Sequence, residues 1–397
     1  MRQLLPIPFL LLPLVACLGT GGGGGVEDAE IITCDPEGDE VYADLGDGVD
    51  YVFEDDCRYW SLLGVNVVLE PGVTIQMNDG QYISVSYDGS LNAVGTAELP
   101  IVFQGSSETP SWQGIQVYSA NQDNVFDYVT VSGAGAGVMI YLDEPSAVAS
   151  WGEGYLKVSN LSIEHSGGDG LSILANYEQF PGVYGPGLSF TDIAGHPVRL
   201  NADHMETLDW AGFEDSELGE PTIAAFTNRL EKEATWANLP LPVLMETDLP
   251  VWADFRVEAG TELRFRAGNS LIVYAAGANP SAAFIGTEEA PIVLRGRLDQ
   301  PGAWGGVFVG TSSPANRMEH VRIENGGGVE HTNEPVKANL TVGFYTAYLS
   351  LQDVEIADSA DAGIVLDDYI ADSVTLLTEN VTYSGNAGGD LVDQRDD

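Results

Sequence analysis

Few residues in this chain have types and spacings that suggest chemistry. Asp367 and Asp368 are adjacent carboxylates, and glycoside hydrolysis needs two carboxylates at a defined separation. His196 and His204 lie close in sequence with acidic neighbours, a grouping that suits metal binding or acid–base catalysis. Each pair has a simpler interpretation, the aspartates as a solvated turn and the histidines as loop residues. We therefore assign no catalytic residue and keep these four as candidates for ligand contact.

Two tryptophans are further candidates for ligand contact. Trp112 and Trp304 occupy matching phrases, WQGIQV and WGGVFV, in the two halves of the chain. An exposed aromatic ring offers an apolar face on which a sugar ring can stack. A tryptophan that recurs at one position can instead fill a corner of the fold. Both interpretations stay open.

An acidic segment runs from Asp35 to Asp56. Ca²⁺ takes about six to eight oxygen ligands, so calcium is the one metal that this segment leaves open. Its carboxylates do not have the spacing of a known calcium loop, and we expect no other cofactor. Surface charge that keeps the protein hydrated is the alternative.

The amino-acid composition limits the classes of partner that the chain can bind. The chain has 397 residues, and its 15 Lys and Arg against 60 Asp and Glu give a formal net charge of -45. Binding to nucleic acid needs clustered basic residues that neutralise phosphates, so no nucleic-acid partner is expected. Hydrophobic residues make up 44% of the chain, which is enough for a core. After the N-terminus, no apolar run reaches the length of a membrane-spanning helix.

The N-terminus reads as an export signal. An apolar stretch, Leu4 to Val15, ends in LVAC at Cys17, and a glycine run from Gly21 to Gly25 follows. The LVAC phrase resembles the lipobox of bacterial lipoproteins. The resemblance implies that residues 1–16 are removed, that the Cys17 thiol receives a diacylglycerol, and that the glycines form a flexible tether. Leu18 is not the aspartate that often retains such proteins at the inner membrane, so an outer-membrane location is expected.

The predicted export also affects the oxidation state that we expect for the two remaining cysteines. An oxidising compartment favours a disulfide between Cys34 and Cys57. Two reduced thiols are the alternative. A zinc site is not expected, because no further cysteine or histidine cluster lies near them.

The strongest pattern in the chain is an internal duplication. EPGVTIQM, GTAELPIVFQG and WQGIQV return in the same order as EAGTELRF, GTEEAPIVLRG and WGGVFV. The offset between copies grows from 188 (Glu258 minus Glu70) to 193 (Leu349 minus Leu156). Loop insertions of a few residues explain this slow drift.

Within each copy, short alternating segments recur about once in thirty residues. In the first copy, Val131, Ile163 and Ile193 lie in similar phrases, 32 and 30 residues apart (163 − 131 and 193 − 163). Such spacing predicts a solenoid, in which each coil buries its inward face only by stacking on its neighbours. A propeller and two sandwiches are the alternatives. Propeller blades are longer, and sandwiches need more hairpin turns than this chain offers.

The phrases PGVTI, GSLNAVGT, PIVFQG and WQGI resemble the repeat signature of right-handed parallel β-helix lipoproteins in bacteria. The resemblance covers roughly Trp60 to Val392 and departs in the second copy, where Glu258-Ala259-Gly260 lacks the proline. It implies an all-β fold, a right-handed parallel β-helix (β-solenoid) with two homologous halves. It implies little about activity, because a fold alone does not assign a function.

We expect a lipid-anchored cell-envelope protein, held by its N-terminal lipid, with a structural, adhesive or binding role toward a polysaccharide or another surface partner. A polysaccharide lyase or hydrolase, or a carbohydrate-binding protein, is the alternative. The predicted segments are a signal peptide 1–16, lipidated cysteine and tether 17–33, disulfide-bearing cap 34–60, first half 61–200, connector 201–250, second half 251–391 and disordered tail 392–397.

Overall fold

The chain forms a parallel β-helix, as the sequence predicts. The structure, a computed structural model, describes residues 28–54, 56–107, 109–175, 182–210, 213–218, 222–237, 239–274, 279–331, 336–343, 346–367 and 374–394. Its strands are short and pair in parallel with strands of the next coil. Among these residues, no helix is long and apolar enough to cross a membrane.

The strands fall into two units of seventeen, with one strand between them. The first unit contains β1 Glu30–Ile32, β2 Glu40–Tyr42, β3 Tyr51–Phe53, β4 Tyr59–Leu63, β5 Asn66–Leu69, β6 Thr74–Met77, β7 Tyr82–Ser86, β8 Ser90–Val94, β9 Ile101–Gly105, β10 Gly114–Val117, β11 Val125–Ser132, β12 Ser146–Gly152, β13 Lys157–Ser166, β14 Asp169–Ala175, β15 Val183–Tyr184, β16 Ser189–Ile193 and β17 Val198–Asn201. A 3₁₀ helix, Ala202–Thr207, and then β18, Glu214–Leu218, follow it.

The second unit occupies the rest of the described chain. It contains β19 Ile223–Phe226, β20 Ala234–Trp236, β21 Val243–Met245, β22 Leu249–Val251, β23 Phe255–Glu258, β24 Glu262–Phe265, β25 Ser270–Tyr274, β26 Ala282–Ile285, β27 Ile292–Gly296, β28 Gly306–Gly310, β29 Arg317–Glu324, β30 Ala338–Gly343, β31 Ala347–Ala357, β32 Ala362–Asp367, β33 Val374–Glu379, β34 Thr382–Ser384 and β35 Leu391–Asp393.

The two units have the same pairing scheme. β1 pairs with β3 as β19 pairs with β21, β4 with β7 as β22 with β25, and β14 with β17 as β32 with β35. Each strand of the first unit thus has its counterpart eighteen strands later. The predicted duplication is confirmed, and it includes strands whose sequences no longer resemble each other.

The units extend beyond the predicted halves. The first begins at Glu30 rather than at residue 61, so the expected cap 34–60 consists largely of solenoid strands. The second begins at Ile223, within the expected connector 201–250. At the C-terminus, Val392 and Asp393 belong to β35, which pairs with β32, although the sequence places them in a disordered tail. Paired strands of three or four residues carry too little sequence pattern to be recognised.

The core is a set of aliphatic stacks parallel to the axis of the coil. Ile115, Val148, Leu171 and Val198 are register partners in four successive coils, and none of the four is exposed to solvent. Because the strands pair in parallel with a constant register, similar apolar residues lie above one another in successive coils. Each coil therefore buries the inward apolar side chains of the next coil. Burial of about 25 cal/mol per Å² of apolar surface supplies the driving force.

Buried asparagines hold the same corner in both units. The Asn124 side-chain Oδ1 accepts a hydrogen bond from the Leu91 N–H (2.9 Å), and the Asn316 Oδ1 accepts one from the Ala282 N–H (2.8 Å). Both asparagines are fully buried. Each one satisfies backbone groups that the turn leaves without a strand partner, as buried polar groups require.

The strands of the second unit do not continue the faces of the coil that their counterparts in the first unit occupy. They are shifted by one face. β1 belongs to the stack that runs through β3, β6, β9, β11, β13 and β16 and ends at β18. Its counterpart β19 does not continue this stack, because β18 already pairs with β16. β19 pairs instead with β17, on the face that carries β7, β10, β12 and β14. The intervening strand therefore rotates the second unit relative to the first.

The predicted disulfide is confirmed. Cys34 and Cys57 are bonded, with their Cα atoms 5.5 Å apart, and they tie the first two coils together. By strand register, Thr227, which directly follows β19, takes the place of Cys34 in the second unit. The Thr227 N–H donates to the Thr247 Oγ1 (3.0 Å), and the Thr247 hydroxyl donates to the Thr227 carbonyl (3.0 Å). Side-chain hydrogen bonds thus stand in the second unit where the first unit has a covalent link.

We predict that replacing both cysteines, Cys34→Ser with Cys57→Ser, lowers the free energy of unfolding by about 3 kcal/mol, because the cross-link closes a loop of about 24 residues in the unfolded chain. Denaturant unfolding of both proteins, with and without reductant, measures this. Reductant should bring the wild type to the stability of the variant. An unchanged unfolding midpoint in the variant would contradict the prediction.

Candidate functional site

Neither of the two candidate tryptophans presents a ring face to solvent. Trp112 and Trp304 are fully buried. The Trp112 Nε1–H donates to the Ser132 carbonyl (2.9 Å), and the Trp304 Nε1–H donates to the Glu324 carbonyl (2.8 Å). The matched hydrogen bonds show that both rings fix the same corner of the coil, so a sugar cannot stack on them.

The other sequence candidates are dispersed. His204 is fully buried in the 3₁₀ helix, where its ring nitrogen Nε2 lies 2.9 Å from the Ala175 carbonyl, and burial lowers its pKa. Asp367 ends β32 at the opposite end of the chain and is 9% exposed. Cys17 and Asp368 lie outside the described residues. The structure therefore does not bring His196 together with His204 or Asp367 in one site.

His196 is the candidate that lines a cavity. It lies in an open groove on the face of the coil where the second unit stacks on the first, and we call this the junction groove. Two adjoining cavities, of about 270 Å³ and about 440 Å³, share four lining residues. The charged and titratable residues of the groove are Asp143, Glu144, Asp169, His196, Arg199, Glu246 and Arg266.

A network of ion pairs crosses the groove and links the two units. The Arg199 Nε lies 2.9 Å from Glu246 Oε2, and an Arg266 guanidinium nitrogen lies 2.8 Å from Glu246 Oε1. Arg199 also lies 4.0 Å from an oxygen of Asp169. Asp169 and Arg199 come from β14 and β17, whereas Glu246 and Arg266 directly follow β21 and β24. Arg199 thus lies between Asp169 of the first unit and Glu246 of the second unit.

Asp169 is the most deeply buried charge of the network, with 6% exposure. Its Oδ1 accepts a hydrogen bond from the His196 backbone N–H (2.8 Å). Burial raises the pKa of the Asp169 carboxyl, and the His196 N–H and the Arg199 guanidinium offset only part of that rise. The His196 ring is held by Thr222, whose carbonyl accepts from its Nδ1–H at 3.1 Å.

Apolar and aromatic side chains form the other wall. Tyr141 is stacked on Trp151, with ring centroids 5.2 Å apart and an interplanar angle of 11°. The loop that carries Tyr141 packs Met139 and Leu142 over the outer side of the sheet. Tyr141 is 67% exposed, so one face of the stacked pair is open to the groove.

The second unit has the same strand positions as the groove of the first unit, but its side chains at these positions are neither charged nor polar. The register pairs Leu171 with Val198 in the first unit and Ile364 with Leu391 in the second, so Ala362 takes the place of Asp169 and Val392 that of Arg199. By the same alignment, the second unit has these replacements: Val336 for Glu144, Ala338 for Ser146, Val365 for Ser172 and Gly389 for His196. Apart from the glycine, these second-unit residues form an apolar cluster.

The groove was not foreseen from the sequence, apart from His196. Asp169 and Arg266 lie almost a hundred residues apart, and only the rotation of the second unit brings them to one face. One signal was available. Where the two copies are written one above the other, SGGDGLSI from Ser166 aligns with SADAGIVL from Ser359 without a gap. This alignment places Asp169 of the first copy opposite Ala362 of the second copy.

The described residues contain no group of three or more histidine, cysteine, aspartate or glutamate side chains that could hold a metal ion. The acidic segment contributes structurally at Asp50, whose carboxylate accepts from the Leu45 and Thr74 N–H groups (both 2.7 Å). Asp39 likewise accepts from the Asn66 N–H (2.8 Å). Calcium binding and surface hydration both stay open as interpretations of this segment.

No protein-family model and no curated protein matches this chain.

We predict a pH-dependent effect for Asp169→Asn, which keeps an acceptor for the His196 N–H but cannot ionise. Because the pKa of Asp169 is raised on folding, the wild type loses stability as pH rises from the ordinary carboxyl pKa, about 4, through the raised value. The variant has no such loss. Its unfolding free energy relative to the wild type should therefore increase over this window and then level off.

Denaturant unfolding at a series of pH values measures this difference. The matched control is Asp361→Asn, at a half-buried aspartate that precedes β32 in the second unit and accepts a hydrogen bond from the Lys337 N–H (3.1 Å). A constant difference between Asp169→Asn and the wild type at every pH would contradict the prediction.

Proposed function

We propose that this protein is a lipid-anchored component of the cell envelope that binds a neutral polysaccharide in the junction groove. The single observation that carries the proposal is the contrast between the two units. The same scaffold is built with Ala362 and Val392 in the second unit and with Asp169 and Arg199 in the first. The fold therefore does not require the buried charges.

Buried charges that the coil itself does not need call for a further reason. Removing two ions from water costs several kcal/mol each, and their mutual attraction often fails to offset this. An apolar cluster such as that of the second unit avoids the cost. Local departures of this kind are typical of functional sites.

The groove has the chemistry that sugar recognition uses. Carboxylates accept hydrogen bonds from hydroxyl groups, guanidinium groups donate to them, and the open face of Tyr141 on Trp151 offers an apolar platform. A concave site with a few convergent polar groups on an apolar wall is the usual form of a ligand pocket.

The charge balance favours a neutral ligand. Glu246 engages both arginines, and Asp143, Glu144 and Asp169 add further negative charge. The whole chain carries a formal net charge of -45. A uronate polymer would meet repulsion both in the groove and at long range.

Membrane attachment is supported by the sequence at Cys17. The described structure begins at residue 28, after the glycine run, and the groove lies in the middle coils of the solenoid. A protein attached at its N-terminus would thus present the groove away from the bilayer. The site of attachment we propose is the outer membrane.

Cleavage of the bound saccharide is the alternative activity. Burial raises the pKa of Asp169, which is the direction that general-acid catalysis by a carboxyl group requires. Asp169 and Glu246 flank one arginine and offer two carboxylates in one groove. Release of reducing ends from a neutral polysaccharide would establish a hydrolase in place of a binding protein.

We predict that the double variant Asp169→Ala with Arg199→Val loses saccharide binding at least tenfold. Both residues take the identities that the second unit already has at these positions, so folding should be retained. Affinity electrophoresis in gels containing glucan, mannan, galactan or uronate polysaccharides, followed by calorimetry, measures binding. The unfolding midpoint is recorded for every variant.

The matched control for the double variant is Val392→Thr in the second unit. It should bind as the wild type does. Equal binding by the double variant and the wild type, or retardation of the wild type only by uronates, would contradict the proposed function.

We also predict that Cys17→Ala moves the protein from the membrane fraction to the soluble fraction. The wild type should incorporate labelled palmitate in its bacterial host, because two acyl chains anchor a protein durably. A Cys17→Ala protein that stays in the membrane fraction would contradict lipid anchoring. This outcome would leave the groove proposal unaffected.

A further inference from the structure

Aromatic side chains continue from the junction groove toward the N-terminal end of the solenoid. Tyr59 is stacked on Tyr82, with ring centroids 5.2 Å apart and an interplanar angle of 19°. Tyr82 belongs to one apolar cluster with Met139 and Leu142 of the loop that carries Tyr141, and Trp151 packs against that cluster. Tyr141 is stacked on Trp151. Stacked rings and apolar contacts therefore lead from β4 to the wall of the groove.

These residues lie on the same stack of strands as the groove. Tyr59 and Tyr82 are register partners in β4 and β7. The stack continues through β10, β12, β14, β17, β19 and β21 to β24, after which Arg266 follows. Eight steps of about 4.8 Å make this face about 38 Å long. The face is thus long enough for an extended polymer.

The aromatic residues are also absent from the second unit. By strand register, Asp248 takes the place of Tyr59, Ser270 that of Tyr82, and Gly343 that of Trp151. The Ser270 N–H there donates to the Asp248 carboxylate (2.8 Å), so a polar pair replaces the stacked rings. The scaffold again does not need the side chains that the first unit has.

The outer rings are available to a ligand. Tyr141 is 67% exposed and Tyr59 is 41% exposed. Tyrosine offers a rigid apolar face and a polar hydroxyl at a low cost in conformational entropy. A sugar ring with its glycosidic oxygen is about as long as one coil spacing, so a linear saccharide parallel to the axis can repeat its contacts from coil to coil.

We propose that Tyr59, Tyr82, Tyr141 and Trp151, which we call the aromatic track, form an axial extension of the junction groove for a linear neutral polysaccharide. This inference rests on the proposed function and specifies how the ligand lies. The charged groove binds one part of the chain, and the exposed rings of Tyr59 and Tyr141 stack on sugar rings further along it toward the N-terminal coils. The buried Tyr82 and the half-buried Trp151 support these two rings. The preferred ligand is then a long chain rather than a single sugar or a chain end.

The test is the dependence of affinity on chain length. Calorimetry uses oligosaccharides of the neutral polysaccharide that the wild type binds best, from two sugars upward. Wild-type affinity should rise over several further sugars, because an extended chain reaches the track. Tyr59→Ala should leave the shortest oligosaccharide unaffected and weaken binding of the longest about five- to tenfold. Tyr59→Phe, which keeps the ring, should bind nearly as the wild type does.

The matched control is Tyr87→Ala. Tyr87 is 73% exposed and lies five residues beyond Tyr82, past the other end of β7, so it is not part of the track. Its replacement should not change the affinity for any length. Unfolding midpoints confirm that each variant is folded.

The outcomes separate this inference from the proposed function. If Asp169→Ala with Arg199→Val abolishes binding but Tyr59→Ala binds every length as the wild type does, the aromatic track is overturned and the groove stands. The same conclusion follows if Tyr87→Ala weakens binding as much as Tyr59→Ala. If no saccharide of any length binds the wild type, both proposals are overturned.

Discussion

Parallel pairing between successive coils is the constraint on which the rest of the structure depends. It fixes the inward positions, because each strand must present an apolar residue above and below its register partners, as Ile115, Val148 and Leu171 do. It leaves the outward positions free, because no neighbouring strand depends on them. A solenoid can therefore change the chemistry of one face without changing its fold, and the junction groove and the aromatic track use outward positions only.

Duplication of such a scaffold does not by itself produce a site. If the second unit had continued the stack of β1, its first strands would have followed β16, and Glu246 would lie on another face. The single strand β18 occupies that place and moves β19 onto β17. Residues that follow β21 and β24 are thereby carried beside Asp169 and Arg199. The groove is a consequence of this rotation, and each unit supplies part of it.

The sequence predicts what is repeated locally and misses what arises between units. The duplicated phrases and the spacing of Val131, Ile163 and Ile193 are sufficient for the parallel β-helix, because periodicity determines how coils stack. The disulfide could be predicted because the N-terminus predicts export to an oxidising compartment and only one pair of cysteines follows the predicted signal and lipidation site. The limits of the units could not, since strands such as β1 and β19 are three or four residues long and their sequences differ. The groove depends on a rotation that no linear spacing reveals.

The two units also show how a structural residue differs from a functional one. Trp112 and Trp304, like Asn124 and Asn316, are the same in both units and make the same hydrogen bonds, which is what a requirement of the fold produces. Asp169 has no such counterpart, although its burial is costly. The ligand that we propose for the junction groove accounts for a costly group at a position where alanine serves the fold. Within a duplicated protein, difference between equivalent positions is thus the better guide to a site than likeness.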